Sequence, residues 1–233
     1  MTMLIKIEKI ALFLILAFCL VWSTVNDIKV LAAGNSDIIF SKSPKPTKKI
    51  ALTFDDGPHP YYTEEILNIL NEYNVKATFF VIGINIQNYP GPLKKIYENG
   101  HEIGNHSFSH KDLSMGNTLQ ELKSCEEMIF RTVGIRPRLF RPPRGYCNET
   151  IDVAARELEY TQVLWSIDTL DWKHTPPKEI SEKVLSRIQG GDIILMHDYT
   201  SGKNTTIDAL KIILPELLSQ GYEFVTVSQL IKQ

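Results

Sequence analysis

The chain is poor in cysteine, with Cys19, Cys125 and Cys147 the only three among 233 residues and no Cys-x-x-Cys pair. That excludes a cysteine-built zinc knuckle and a disulfide-stapled scaffold, and it leaves no dithiol for redox chemistry. An excess of charge of one sign is missing as well: 25 Lys and Arg stand against 27 Asp and Glu, a net charge of −2. Without a basic stripe to neutralise phosphates, neither nucleic acid nor an anionic lipid surface is expected as a partner. The 43% of apolar side chains is too high for a disordered chain and suffices for a domain that closes around its own core.

Long hydrophobic runs are scarce too, and the one that stands out is terminal. Residues 10–25, IALFLILAFCLVWSTV, carry no charge and follow Lys6 and Lys9. The run is longer than an ordinary signal-peptide core and shorter than the ~20 residues that span a bilayer, so 1–33 reads as a signal peptide or an N-terminal membrane anchor. Residues 34–48, with the stretch SKSPKPTKK, read as a linker, and 49–233 as the folded domain. An extracytoplasmic monomer is expected, secreted or held to the membrane through that segment alone.

From residue 49 on, short β-rich runs at 50–54, 77–82, 101–104, 138–140, 162–167, 192–196 and 223–227 alternate with amphipathic helical patterns. Thr118 and Glu121 have the spacing of a capping box, Thr175-Pro176 marks another helix start, and Gly100, Gly134 and Gly221 fall where helices stop. Such alternation predicts an α/β fold with a mainly parallel sheet: a distorted (β/α)7–8 barrel in preference to an open doubly wound sheet.

The unusual polar residues then gather at one rim. Asp55 and Asp56, His106, Arg141, Asp168 and His197 each follow a predicted strand, at the end where parallel α/β architectures build their sites. The two adjacent carboxylates at a strand tip repel unless a cation separates their roles. His106 and His110 have the i, i+4 spacing that on a helical turn projects two imidazoles from one face. Alone, such a pair is more often a surface feature; with a carboxylate from another strand it supplies two nitrogens and one oxygen and leaves positions open. Arg141-Pro142-Pro143-Arg144-Gly145 is a stiff loop whose Arg141 can hold a carboxylate. A carboxylate beside His197 would raise the pKa of the imidazole and orient it as a proton donor. Trp172 reads as core packing or as a cavity wall. His59, His101 and His174 lack such partners, with His59 and His174 at most lining a cleft.

Taken together, TFDDGP, HSFSH, RPPRG, DTLDW and ILMH, in that order, resemble the motifs of the polysaccharide deacetylases with a NodB homology domain, carbohydrate esterase family 4. The likeness runs from about Lys49 to the end of the chain. It implies a deformed barrel of the NodB type and metal-dependent removal of N-acetyl groups from amino-sugar polymers, with peptidoglycan or chitin-like oligomers as partners. By the same resemblance, Asp56, His106 and His110 hold the metal, Asp55 is the general base, Arg141 orients it, and His197 is the general acid adjusted by Asp168. Trp172 and Leu195 would enclose the acetyl methyl. Arg144 stands where the family often has tyrosine, so Arg144, Tyr146 and Cys147 are the candidates for substrate preference, with Gly145 beside them among the expected substrate-binding residues. The N,N,O donor set points to Zn2+, with Co2+, Ni2+ or Mn2+ able to take its place. An O-acetyl ester substrate such as acetylxylan, and a carbohydrate-binding protein without catalysis, are the alternative expectations.

Overall fold

A computed structural model describes residues 39–232 apart from 44, 115 and 203; the predicted leader at 1–33 lies outside the described residues. Among the described residues nine strands run in chain order: β1 (Ile39–Phe40), β2 (Lys49–Asp55), β3 (Thr78–Val81), β4 (Glu102–Asn105), β5 (Leu139–Phe140), β6 (Thr161–Val163), β7 (Ile167–Asp168), β8 (Ile193–His197) and β9 (Glu223–Phe224). Between them lie the helices α1 (Tyr62–Glu72), α2 (Gly83–Asn88), α3 (Pro90–Glu98), α4 (Thr118–Val133), α5 (Glu149–Glu157), α6 (Pro177–Arg187) and α7 (Thr206–Ser219), with α8 (Val227–Ile231) closing the order. Among the described residues no helix is long and apolar enough to cross a membrane.

Every strand pairing is parallel, in the order β1-β6-β5-β4-β3-β2-β8-β7, with β9 on the first residues of β2. β2 and β8 are buried along almost their whole length, as strands covered on both faces must be. The sheet has to curl. β6 and β7 stand near opposite ends of the order, yet only residues 164–166 separate them in the chain. Four Cα steps span at most ~14 Å, so the two ends meet and the sheet becomes the expected distorted barrel. The predicted single strand at 162–167 is therefore two strands, split where the chain crosses the seam.

The linker expectation is also corrected. Phe40 O accepts from Leu164 N at 2.7 Å, Ser43 N donates to Gly191 O at 2.8 Å, and Lys42 Nζ lies 2.9 Å from Asp192 Oδ1. Residues 39–43 thus belong to the barrel, because β1 satisfies the edge of β6 beside the seam. The capping box is not formed. Thr118 lies inside α4 and its Oγ1 donates to Ser114 O, while the Glu121 carboxylate faces a loop described below. Helix α6 starts one residue later than expected, with Pro176 as its cap. Gly134 ends α4 at φ 76°, a conformation that costs a Cβ-bearing residue energy. Cys125 and Cys147 are both free thiols.

Helix α7 shows how the layers join: Ala209, Leu210, Ile213, Leu214 and Leu217 are buried at helical spacing against a core that includes Leu52, Phe54 and Phe79. Each large apolar side chain so buried contributes about 2 kcal/mol before entropy. His101, taken from sequence as uncommitted, is 6% exposed and packs edge-on to Phe79 of this core at 5.5 Å. Its Nδ1 accepts the Ala77 N–H at 3.2 Å, and burial, with Lys76 nearby, pushes its pKa down to about 4.

The consequence for stability has a definite sign. Above pH ~6.5 the residue is neutral in both folded and unfolded chains; below it, the unfolded chain takes up a proton that the folded one refuses. Stability is therefore lost as pH falls from 6.5 toward 4. Denaturant unfolding at pH 7.5 and pH 5 should show that His101→Asn, which keeps an acceptor for Ala77, narrows this loss by about 2 kcal/mol. Equal losses in both proteins would contradict a buried neutral His101.

Candidate active site

The polar rim residues do sit at a strand's C-terminal end or just beyond: Asp55 ends β2, His106 follows β4, Arg141 follows β5, Asp168 ends β7 and His197 ends β8. Parallel strands bring these ends to one mouth of the barrel. There a cavity of about 380 Å3 is lined by Asp55, Asp56, His106, His110, Arg144, Trp165, Asp168, Trp172, Leu195 and His197.

Asp55 and Asp56 are divided by backbone geometry. Asp55 continues the strand and points inside, whereas Asp56 turns through φ 76°. The next residue has to be glycine, since a Cβ on Gly57 would lie 2.0 Å from Asp198 Oδ2. Asp55 Oδ1 accepts from Arg141 Nη1 at 2.7 Å. The other three bonds of this fully buried guanidinium go to Thr53 Oγ1 (2.8 Å), Val163 O (3.0 Å) and Leu164 O (2.9 Å). Arg141 thus ties Asp55 to the carbonyls of the seam.

Asp56, His106 and His110 converge. Asp56 Oδ1 lies 3.3 Å from His106 Nε2 and 3.3 Å from His110 Nε2, and one donor atom from each of the three residues falls within 4.8 Å of the others. The histidines do not share a helical turn as their spacing suggested. Ser107 and His110 adopt φ 67° and 57°, so the segment doubles back as a loop. Glu121 holds it there, accepting from Phe108 N (3.0 Å), Ser109 N (2.7 Å) and Ser109 Oγ (2.8 Å), and Asn105 Oδ1 accepts from Ser107 N (2.8 Å). That is why Glu121 does not cap its own helix.

The three residues fit a cation. Asp56 Oδ1 is buried without a hydrogen-bond partner among the described residues, a costly state unless something positive belongs beside it. The His106 ring meets Arg141 O through Nδ1 at 2.7 Å, so Nδ1 carries the proton and Nε2 presents its lone pair. Burial alone would lower the His106 pKa; the charges of Asp55 and Asp56 outweigh it and raise it. At His110 burial wins and the pKa falls. Both imidazoles must be neutral to ligate, so binding of a cation releases protons and weakens in acid.

His197 is held by a carboxylate other than the one expected. Its Nδ1 meets Asp171 Oδ1 at 2.8 Å, while Asp171 Oδ2 accepts from His197 N (2.7 Å) and Thr206 Oγ1 (2.6 Å). Asp168, assigned that role from sequence, instead accepts from Leu170 N at 2.9 Å and lines the cavity. The reason is local: Leu170 adopts φ 60°, and the turn swings Asp171 inward, where it is 1% exposed. Burial would depress the His197 pKa, but the Asp171 hydrogen bond and charge, with Asp55 and Asp56, push it up to about 9. Both aspartates stand in DTLDW, so the motif held the right residue and the spacing did not say which.

Trp172 and Leu195 line the cavity, as does Trp165, which the sequence reading passed over. Nothing in the sequence marked Trp165, since the run at 162–167 reads as one continuous strand and the seam it flanks appears only in the fold. Gly145, at φ 69°, allows it close approach: a Cβ there would lie 2.6 Å from its ring. Arg144 lines this cavity and also a second of about 400 Å3 with Asp112, Leu113, Pro143, Tyr146 and Ile151. His59 and His174 line neither.

Three comparisons bear on this site. A family model described as polysaccharide deacetylase matches residues 42–163. A peptidoglycan-N-acetylglucosamine deacetylase of Bacillus cereus is 41% identical over 197 residues, covering 81% of this chain and 91% of the relative. The peptidoglycan-N-acetylmuramic acid deacetylase PdaC of Bacillus subtilis is 40% identical over 186 residues, 78% of this chain but only 38% of that longer protein. Among solved structures, the Bc1960 peptidoglycan N-acetylglucosamine deacetylase superposes with a TM-score of 0.80 at 35% identity, over 84% of this chain and 94% of the other.

The two aspartates can be told apart by histidine NMR on the chelated protein. Asp171→Asn removes the strongest influence raising His197, and its midpoint should drop from about 9 by more than one unit. Asp168→Asn should leave it in place; the reverse pattern would contradict the pairing.

Proposed function

Because the chain belongs to the polysaccharide deacetylase family, we propose that its rim cavity hydrolyses the N-acetyl groups of amino sugars in peptidoglycan and releases acetate. The single observation that carries this reading is the convergence of Asp56, His106 and His110 in a cavity that also presents Asp55 and His197. The substrate lies outside the cytoplasmic membrane, where the apolar segment near the N-terminus would deliver the chain.

Asp56, His106 and His110 would hold a divalent cation, zinc in this proposal. When bound it supplies Lewis acidity, polarising the acetyl carbonyl and lowering the pKa of a water. Asp55 takes the proton of the attacking water. Arg141 occupies its Oδ1 and leaves Oδ2 turned toward His106 Nε2, 3.7 Å away, beside the ligand set. The developing oxyanion needs a donor from the chain. Gly145 N and Tyr146 N are spent on Pro142 O and Pro143 O, so the backbone N–H of Arg144 is assigned this role, worth about 3 kcal/mol for a single donor. His197, with Nδ1 fixed by Asp171, gives its other proton to the departing amine, which an amide nitrogen needs in order to leave. Trp172, Leu195 and Trp165 form the wall that receives the acetyl methyl and keeps bulk water out.

Arg144 bears on which sugar enters. It pairs with Asp112, but both side chains are exposed, and such a pair contributes only about 0–1 kcal/mol. It is free to exchange Asp112 for a substrate carboxylate, such as a lactyl or stem-peptide group of peptidoglycan.

Mass spectrometry of cell-wall fragments and chitin oligomers incubated with metal-loaded protein should show loss of acetyl. Chelation should abolish the activity, and zinc should restore it. Asp55→Asn should keep its metal and lose turnover by about 10²-fold or more, whereas His106→Ala should lose metal and turnover together. Substantial turnover by either variant would overturn the assignment.

A further inference from the structure

Outside the cavity, the most unusual surface feature is a stack of rings at its edge. His59 lies between Tyr62 (centroids 4.7 Å, 22°) and Tyr199 (5.0 Å, 9°), with Tyr89 tilted against it at 6.4 Å and Tyr61 edge-on to Tyr62 at 5.4 Å. Tyr61, Tyr89 and Tyr199 are 60%, 43% and 39% exposed, a concentration of aromatic surface that costs free energy unless it has a use. His59 Nδ1 accepts from Tyr61 N and Tyr62 N, and the Tyr62 hydroxyl donates to Gly202 O at 3.0 Å. A chain from His59 N to Thr63 Oγ1 to Asp198 Oδ2 (2.7 and 2.6 Å) ties the same loops together. His59 and Tyr62 are therefore held in place behind the Tyr199 ring, and an ordered flat backing loses little entropy on binding.

Position gives the stack its meaning. His59 lies three residues beyond Asp56 and Tyr199 two beyond His197, so their Cα atoms fall within about 11 Å and about 8 Å of those residues. Asn85 Nδ2 donates to Asp56 O at 2.7 Å, which moors α2, and with it Tyr89, to the same loop. The stack is built from segments that follow β2, β3 and β8, whereas the second cavity, with Arg144 and Tyr146, follows β4 and β5. Along the strand order Tyr199, after β8, lies beyond Asp56, after β2, and Arg144, after β5, lies beyond His106 and His110, after β4, whereas Tyr89, after β3, falls between them. A polymer whose reacting sugar fills the cavity has to leave over both flanks.

We infer that the Tyr199 face, backed by His59 and Tyr62, is a stacking subsite for a pyranose ring next to the sugar being deacetylated. Pyranose rings present flat C–H faces to aromatic rings, and neutral rings with exposed hydroxyls suit a neutral N-acetylated sugar better than the Arg144 flank does. This subsite rests on the deacetylase reading and makes the enzyme selective for chain length.

The test compares kcat/KM on N-acetylglucosamine itself, which leaves a neighbouring subsite empty, and on the pentasaccharide, for wild type, Tyr199→Ala and Tyr199→Phe, with Tm measured for each. Tyr199→Ala should lose about five- to tenfold on the pentasaccharide, mainly in KM, and keep the rate on the single sugar; Tyr199→Phe should behave as wild type on both. Equal losses on both substrates, or none on the pentasaccharide, would overturn the subsite while leaving the deacetylase reading intact. A wild type inactive on both saccharides and on peptidoglycan fragments would overturn the deacetylase reading, and the subsite with it.

Discussion

The site is organised by one buried guanidinium. Arg141 has no exposed surface, and its four hydrogen bonds join Asp55, Thr53 and the two carbonyls where the chain crosses from β6 to β7. The ring of Phe80 lies 4.1 Å beneath it, and its own carbonyl accepts from His106 Nδ1. Burying such a charge is expensive, and it is tolerable here because a carboxylate and three further acceptors surround it. Without the Asp55 carboxylate the guanidinium charge would be unpaired inside the barrel, and without one of the neutral acceptors an N–H would be left unsatisfied. The same residue thus closes the seam, immobilises the proposed base and fixes the tautomer of a proposed metal ligand.

From that constraint follows the division of labour between two neighbouring carboxylates. Asp55 is spoken for by Arg141, so Asp56, turned outward through a left-handed residue, is the one left to meet the histidines. The unpartnered Asp56 Oδ1 is a cost to a protein without a cation, and it falls at the same cavity as His197, whose proton Asp171 holds. Concentrated strain and unpaired polarity of this kind are what a site prepared for charge development shows.

Much of this was legible in the chain. The alternation of β-rich and amphipathic runs led to the parallel barrel, and the polar residues at strand ends led to its mouth. What sequence could not resolve was conformation inside loops. His106 and His110 have helical spacing but meet through a loop with two left-handed residues, and Asp168 and Asp171 differ only by which way a turn at Leu170 swings. Glu121 looked like a cap because its spacing from Thr118 fits one; its partners came from a segment more than ten residues away. Strand 162–167 read as continuous because apolar character does not reveal where a sheet ends and begins again.

The most direct test of the account is anomalous diffraction from crystals of the zinc-loaded protein. One ion should appear within about 2.0–2.2 Å of Asp56 Oδ1, His106 Nε2 and His110 Nε2, with Asp55 still bonded to Arg141 and outside its ligand set. An ion bound elsewhere, or one that draws Asp55 away from Arg141 into its coordination, would contradict it.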